Sequence, residues 1–139
     1  MALSLPLKRI IALALVVAGG VFLRGYGPHF HIPAFWVKYG GSALWAALFF
    51  FVVALLLRSR PRDQVLYIAA LICVLIECVK LVHTPALDVF RLTAAGAWTL
   101  GRVFSPWNFL AYGVGLALAF GLDGLFAPNA PKKSGRRRR

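Results

Sequence analysis

Charged residues are scarce in this chain, and their scarcity excludes an ordinary soluble domain. They make up 14% of the 139 residues, against roughly 25% in soluble domains. Hydrophobic residues make up 60%, and the mean hydropathy is +0.77. A lipid bilayer is therefore the expected solvent, and the length is that of a single domain.

Cysteine and histidine are scarce as well, which excludes a disulfide framework and leaves no metal-binding motif. Cys73 and Cys78 lie five residues apart in one apolar segment, so on a helix they point in different directions. We interpret them as small buried apolar groups. His29, His31 and His83 lack the companion ligands that a closed metal site needs. We therefore predict no metal and no cofactor.

Four long apolar segments follow one another along the chain. Crossing the hydrocarbon core takes about 20 residues of helix, and roughly 17 is a workable minimum. The segments lie at about residues 5–23, 37–57, 64–82 and 106–126. We therefore predict an all-α integral membrane protein, a bundle of four transmembrane helices within residues 1–126. Residues 127–139 are predicted to form a basic cytoplasmic tail.

The first apolar segment has an alternative interpretation as a cleaved signal peptide. Lys8 and Arg9 precede a short apolar run, as basic residues do in such signals. The sequence Gly19-Gly20-Val21 lacks the small-residue pattern of a good cleavage site. We therefore favour an uncleaved first span.

Basic residues far outnumber acidic ones, with 16 Lys and Arg against 4 Asp and Glu. In a soluble protein this excess would suggest nucleic-acid binding. Here the basic residues gather at the ends of the apolar segments, as the positive-inside rule describes. With both termini in the cytoplasm, the basic residues left on the outer side are Arg24, Lys38, Arg91 and Arg102. The tail is expected to contact anionic lipids, and no specific nucleic acid is expected.

The stretch after the third apolar segment predicts an amphipathic helix outside the bilayer. Thr84 and Pro85 suit the N-cap and first position of a helix that extends to about residue 102. Its polar or small residues recur three or four apart, at Asp88, Arg91, Ala95, Thr99 and Arg102. A helix with one polar stripe is expected to lie in the plane of the outer membrane interface.

Small residues recur four apart in the fourth segment, at Ala111, Gly115 and Ala119. Such spacing lets two helix backbones approach each other closely. We favour packing within one bundle, and the alternative is the seam of a homodimer or of a larger membrane complex.

Ionisable residues stand inside two apolar segments. Glu77 and Lys80 are three residues apart and share one helix face, about 20 Å from the cytoplasmic end of the third segment. They form either a self-neutralising structural pair or part of a functional site, and intramembrane charge favours the functional interpretation. Asp123, near the cytoplasmic end of the fourth segment, is expected to form an anchoring ion pair with Arg58 or Arg62.

We predict that polar residues near the outer ends of the third and fourth segments line a pocket open to the outer headgroup region. The predicted ligand-binding residues are Glu77, Lys80, His83, Asp88, Arg91, Trp107, Asn108 and Tyr112. Glu77 and Asp88 would accept hydrogen bonds, and Lys80 and Arg91 would hold an anion. Asp88 and Arg91 are expected to fold back over the other residues from the outer helix.

Three motifs carry a resemblance to a known family. They are E-x-x-K-L-x-x-x-P-x-L-D-x-x-R-x-T-x-x-G-x-x-x-L-G-x-x-F from Glu77 to Phe104, G-S-x-L-W-A from Gly41, and W-N-x-x-x-Y-x-x-G from Trp107. With these motifs the chain resembles DUF2809, a bacterial family of small membrane proteins that is distantly similar to VanZ-like proteins. The resemblance implies a four-span protein of the bacterial inner membrane. VanZ-like relatives are linked to lipoglycopeptide resistance, which points towards the outer surface and its lipids.

The sequence departs from the family pattern at three positions. Ser42 and Asn108 are neutral where acids are expected, and Lys80 stands where Gln is common. These departures argue against proton-relay chemistry.

The expected function is the binding of a lipid headgroup, an envelope ligand or a partner protein in the outer pocket, without catalysis. One alternative is a small oligomeric transporter or an accessory subunit of a membrane complex. A further alternative is an intramembrane enzyme that acts on a lipid-linked substrate, and this ranks last because no nucleophile–base pair or metal set is visible.

Overall fold

A computed structural model describes residues 3–127, and in this part of the chain every regular element is helical. The predicted all-α class is therefore confirmed. The four long helices are α1 (Leu5–Tyr26), α2 (Ala34–Leu56), α3 (Arg62–Val79) and α6 (Trp107–Phe126). A 3₁₀ turn (Gly27–Phe30) joins α1 to α2, and two short helices, α4 (Pro85–Leu92) and α5 (Ala94–Thr99), join α3 to α6. The predicted basic tail, from residue 128 onward, falls outside the described residues.

Three helices in residues 3–127 are long and apolar enough to cross a membrane: α1 with the turn that follows it, α2 and α6. This confirms a membrane-type protein. The fourth predicted span corresponds to α3, which has only 18 residues and includes Arg62, Asp63 and Glu77. Three charges in so short a helix keep it from qualifying by length and composition.

The core lies around α2, which packs against α1, α3 and α6. Its central residues are buried, and the rings of Phe50 and Phe51 pack near those of Phe120 and Phe126 of α6, at centroid distances of 6.2 and 6.5 Å. The outward faces of the same helices expose large apolar residues, including Leu15, Leu71 and Leu118. Such a surface suits contact with lipid rather than with water.

The predicted stripe of small residues on α6 faces α2. Ala111, Gly115 and Ala119 are all buried. A Cβ atom at position 115 would overlap the backbone carbonyl of Ala43, so the two backbones meet closely at this point. The favoured interpretation, packing within one bundle, is confirmed for this face of α6.

The predicted outer helix is not continuous, which corrects the sequence interpretation. Thr84 does cap α4, because its hydroxyl accepts a hydrogen bond from the Leu87 amide at 3.3 Å. At Thr93, however, the backbone is extended (φ −71°, ψ 157°), and α5 begins anew. The Thr93 hydroxyl accepts a hydrogen bond from the Gly96 amide at 3.0 Å, which caps α5. The break means that the predicted polar stripe does not lie on one helix face.

The last helix begins one residue later than its sequence indicates. Ser105 followed by Pro106 is typical of an N-cap and a first helical residue, but α6 begins at Trp107, and its N-cap, Pro106, has no side-chain cap. The Ser105 amide, just before this helix, donates a hydrogen bond to Glu77 at 2.8 Å.

At the opposite end of the bundle, Asp123 is completely buried and pairs with two arginines. Arg9 binds both of its carboxylate oxygens, with Nε 2.7 Å from Oδ1 and Nη2 2.9 Å from Oδ2. The Nε atom of Arg62 lies 3.3 Å from Oδ2, so the predicted pairing with Arg62 is confirmed. The alternative, Arg58, is wrong: within residues 3–127 it forms no ion pair with Asp123, and its Nε donates to the Leu55 carbonyl. We call Arg9, Arg62 and Asp123 the Asp123 cluster.

Candidate functional site

Glu77 lies in the last turn of α3 and is completely buried. Its Oε2 accepts hydrogen bonds from Lys80 Nζ at 2.6 Å and from the Tyr112 hydroxyl at 2.8 Å. Its Oε1 accepts hydrogen bonds from the Ser105 amide at 2.8 Å and from Asn108 Nδ2 at 3.0 Å. A carboxylate has about four acceptor positions, so every one is used. We call these five residues the Glu77 cluster.

Local helical spacing explains why these donors converge. Lys80 follows Glu77 by three residues, so the two side chains share a face of the last turn of α3. Asn108 and Tyr112 are four residues apart on α6 and both face α3. The extended segment before α6 presents the Ser105 amide to the same carboxylate. Glu77 therefore fixes the start of α6 against the end of α3.

The hydrogen-bond network continues into α2. The Ser42 hydroxyl lies 3.2 Å from Asn108 Oδ1 and 3.1 Å from the Lys38 carbonyl oxygen. The Tyr39 hydroxyl lies 3.5 Å from Ser105 Oγ. Three long helices thus meet around one buried carboxylate.

A cavity of about 580 Å³ adjoins the Glu77 cluster. Its wall includes Lys80, Asn108 and Tyr112, together with Ser42 and Trp45 of α2. The remaining wall comes from the end of α1, the start of α2 and the segment from α5 to residue 103. Polar and aromatic side chains around a concave space of this size are typical of a ligand site.

Gly101 covers part of the cluster from the segment after α5. Its φ is +74°, a conformation that favours glycine. A Cβ atom at this position would lie 3.1 Å from Lys80 Cε and 3.3 Å from Lys80 Nζ. The absence of a side chain at position 101 therefore lets the loop lie close to the Lys80 ammonium.

Arg91 belongs to a second, separate cluster. It is 3% exposed, and its guanidinium donates to the carbonyl oxygens of Val82 at 2.9 Å and Val79 at 2.5 Å. It also pairs with Asp88 at 2.8 Å, and His83 Nδ1 lies 3.2 Å from the same Asp88 oxygen. A cation at the carboxyl end of a helix satisfies unpaired carbonyls and opposes the helix dipole. Arg91 thus closes α3.

The structure divides the eight predicted ligand-binding residues into groups. Lys80, Asn108 and Tyr112 line the cavity, and Glu77 lies behind them and holds all three. The residues of the second cluster, His83, Asp88 and Arg91, lie apart from the cavity wall. Trp107 is 66% exposed at the start of α6 and is also absent from that wall. A binding role for these residues stays a prediction.

Sequence reasoning missed several residues of the cavity wall. These are Arg24, Lys38, Ser42, Trp45 and Arg102. The sequence did contain a signal for three of them. Under the predicted orientation, the positive-inside rule does not explain the few basic residues on the outer side. Arg24, Lys38 and Arg102 are among those residues.

The fold and site together define a small helical membrane-type protein with a buried carboxylate beside a cavity. Within that class, residues 31–116 match the family model described as protein of unknown function (DUF2809), so the chain belongs to this family. The matched range extends from the turn before α2 to the middle of α6 and includes the whole Glu77 cluster. No characterised protein and no solved structure matches the chain.

Proposed function

We propose that the chain is a four-span protein of the bacterial inner membrane whose cavity binds a polar ligand without catalysis. The ligand would be a lipid headgroup, an envelope ligand or a polar group of a partner protein. The observation that carries this proposal is the cavity of about 580 Å³ beside a carboxylate that has no free acceptor position.

The charged side chains of α3 are mostly paired, which supports this helix as the fourth span. Glu77 is neutralised by Lys80, and Arg62 pairs with Asp123, so two of the three charged side chains of α3 have partners inside the bundle. The third, Asp63, lies in the first turn, where a helix favours an anion. Pairing lowers the cost of placing charge in the membrane.

The distribution of basic residues supports an orientation with the cavity outside. Five basic residues lie at or near the Asp123 end of the bundle: Lys8, Arg9, Arg58, Arg60 and Arg62. The positive-inside rule assigns such an end to the cytoplasm. Both termini would then be cytoplasmic, and α4 and α5 would lie at the outer interface.

The acceptor positions of the Glu77 carboxylate are all occupied, which supports a binding role over a catalytic one. A general base must have an acceptor position free for the proton that it takes. Glu77 accepts from four protein donors, so it is better suited to holding the cavity wall in place.

The test fills the cavity without touching the Glu77 cluster. Gly41 lies on the cavity wall, and a Cβ atom there would meet no other atom within 4 Å, so Gly41→Leu adds bulk to open space. Gly25 has equally free space but lies off that wall, which makes Gly25→Leu the matched control. Native mass spectrometry of gently extracted protein should show a co-purifying ligand in wild type and Gly25→Leu. That ligand should be lost in Gly41→Leu. Equal retention in both variants, or no ligand in any of the three proteins, would contradict the proposal.

A small oligomeric transporter or accessory subunit is the second candidate, favoured by the outer face of α6. Gly113, Ala117 and Gly121 are exposed and four residues apart, and a Cβ atom at either glycine would meet nothing within 4 Å. A second copy can approach such a face closely. Mass photometry in nanodiscs should then show dimers that Gly113→Leu converts to monomers. A monomeric wild type would exclude the oligomeric transporter.

A further inference from the structure

The cavity wall is strongly positive. Four of its residues are cations, Arg24, Lys38, Lys80 and Arg102. Among the described residues that line the cavity, none is an aspartate or a glutamate. Lys80 is neutralised by Glu77, which lies behind the wall, so three cations are left to consider.

These three cations come from different elements and lack acidic partners. Arg24 lies in the last turn of α1, Lys38 in the first half of α2, and Arg102 in the segment after α5. Within residues 3–127, none of them forms a salt bridge. Their contacts are with aromatic rings and carbonyl oxygens: Arg24 with Trp98, Lys38 with Tyr39, and Arg102 with the carbonyls of Arg91 and Leu92. Their positive charge is therefore uncompensated by the protein around the cavity.

Like charges gathered at the edge of a low-dielectric region repel each other, and a concave wall concentrates their field. Such a wall attracts anions. An anion with several oxygen atoms could bind more than one of these cations at once.

We infer that the cavity binds a phosphate group, held by Arg24, Lys38 and Arg102. This inference rests on the proposed ligand-binding function and names the chemical class of the ligand. A phosphate accepts several charge-assisted hydrogen bonds at once, which suits two guanidinium groups and an ammonium. The three residues are exposed, so the cavity reaches the protein surface and admits a ligand from outside.

The size of the cavity favours a phosphate ester over the free ion. Its volume of about 580 Å³ falls within the range of roughly 300–1,000 Å³ that is typical of sites for drug-sized ligands. Inorganic phosphate would leave most of this space empty. A phospholipid headgroup would fill more of it from the neighbouring outer leaflet.

The test uses the full chain in micelles of a polyoxyethylene detergent, which contain neither phosphate nor sugar. Isothermal titration calorimetry measures the binding of dihexanoyl phosphatidic acid and, separately, of inorganic phosphate. Lys38→Gln/Arg102→Gln removes two cations from the wall. Arg58→Gln/Arg60→Gln removes two exposed arginines near the opposite end and is the matched control. A monodisperse elution profile is the folding check for both variants.

Wild type should bind the short-chain lipid saturably. The cavity variant should lose about tenfold or more in affinity, since hydrogen bonds to charged groups are among the stronger ones, and the control should not change. Competition by inorganic phosphate at similar concentration would identify the free ion as ligand, and its absence would identify the lipid. Equal loss in the two double variants would overturn the inference, because it would reflect overall charge alone.

An uncharged probe separates failure of this inference from failure of the proposed function. A short-chain glycolipid that binds saturably, resists Lys38→Gln/Arg102→Gln and is lost in Gly41→Leu would leave the cavity as a ligand site and overturn the choice of phosphate. Absence of binding by the anionic and the uncharged lipids alike would overturn both proposals.

Discussion

The two ends of the bundle each contain a completely buried carboxylate, and the two carboxylates have different partners. Asp123 lies between two arginines, which leaves a net positive charge in that cluster. Glu77 has one cation, Lys80, and three neutral donors. Arginine binds both carboxylate oxygens through a rigid fork, whereas lysine is a flexible point charge. The Asp123 end is therefore built for fixed geometry.

The surroundings of the two carboxylates also differ: those of Asp123 join helices directly, and those of Glu77 include a cavity. Around Asp123, Arg9 also donates to the Ala54 carbonyl, and Arg62 donates to the Phe120 carbonyl, so the arginines connect four helices directly. Around Glu77, three of the donors line a cavity on their other side. A buried charge is thus used in two ways within one small bundle: to join helices at one end and to position a cavity wall at the other.

The largest effect on stability is expected from Asp123→Leu. The change leaves two arginines without their carboxylate, and removing one partner of a buried ion pair costs about 3–5 kcal/mol. Unfolding in mixed micelles measures the free-energy difference, and Asp63→Asn, a change at an exposed acid in the first turn of α3, should cost no more than about 1 kcal/mol. A loss no greater than that of Asp63→Asn would show that Asp123 does not join the helices.

A smaller loss of stability is expected from Glu77→Gln. The amide has one acceptor oxygen instead of two, and its NH₂ group faces donors that already point at this position. The expected loss is about 1.5–3 kcal/mol, the range of a hydrogen bond to a charged group. It is smaller than at Asp123 because a buried lysine can lose its charge, whereas an arginine cannot. Ligand binding should fail in the same variant, since Lys80, Asn108 and Tyr112 lose their common anchor. Unfolding and titration of one preparation measure both effects, and a stable variant that binds normally would contradict this role.

The helical fold and part of the Glu77 cluster were predictable from the sequence, because helical spacing determines which residues share a face. The all-α membrane class follows from the apolar segments, and the helices differ from the predicted spans by no more than about three residues at any end. Spacing also predicted that Glu77 lies beside Lys80. Asn108 and Tyr112 were expected near them only because they lie near the outer end of the fourth segment.

Other features depend on how helices rotate and pack, which local spacing does not report. Arg9 and Asp123 are more than a hundred residues apart, and Arg9 was interpreted only as a topology signal. The break at Thr93 arises because its hydroxyl caps α5, which outweighs the continuing amphipathic pattern. The bond from the Ser105 amide to Glu77 involves the backbone, so no residue type indicates it.

Gly101→Ala is expected to lower the stability of the protein moderately, through its effect on the Glu77 end. Its φ of +74° is unfavourable for alanine by roughly 1–2 kcal/mol, and the added Cβ atom would press on Lys80. Gly41→Ala is the matched control, since in an open helical position it should stabilise the protein by about 0.5–1 kcal/mol. The changes in unfolding free energy relative to wild type should therefore have opposite signs in the two variants. Equal values would mean that the loop does not depend on its contact with Lys80.

Ser42→Ala should have the smallest effect on stability, and it should still distinguish the binding role of the Glu77 end from the structural role of the Asp123 end. The hydroxyl lies on the cavity wall and 3.2 Å from Asn108, so its loss removes one hydrogen bond, worth about 0.5–1.5 kcal/mol. Asn108 keeps its bond to Glu77, and the bundle should unfold almost as wild type does. Titration should nevertheless show weaker ligand binding, because a polar group has left the wall. Ser59→Ala, an exposed change between α2 and α3, should alter neither quantity. If Ser42→Ala lowered stability without altering binding, the Glu77 end would resemble the Asp123 end, and its cavity would not be the binding site.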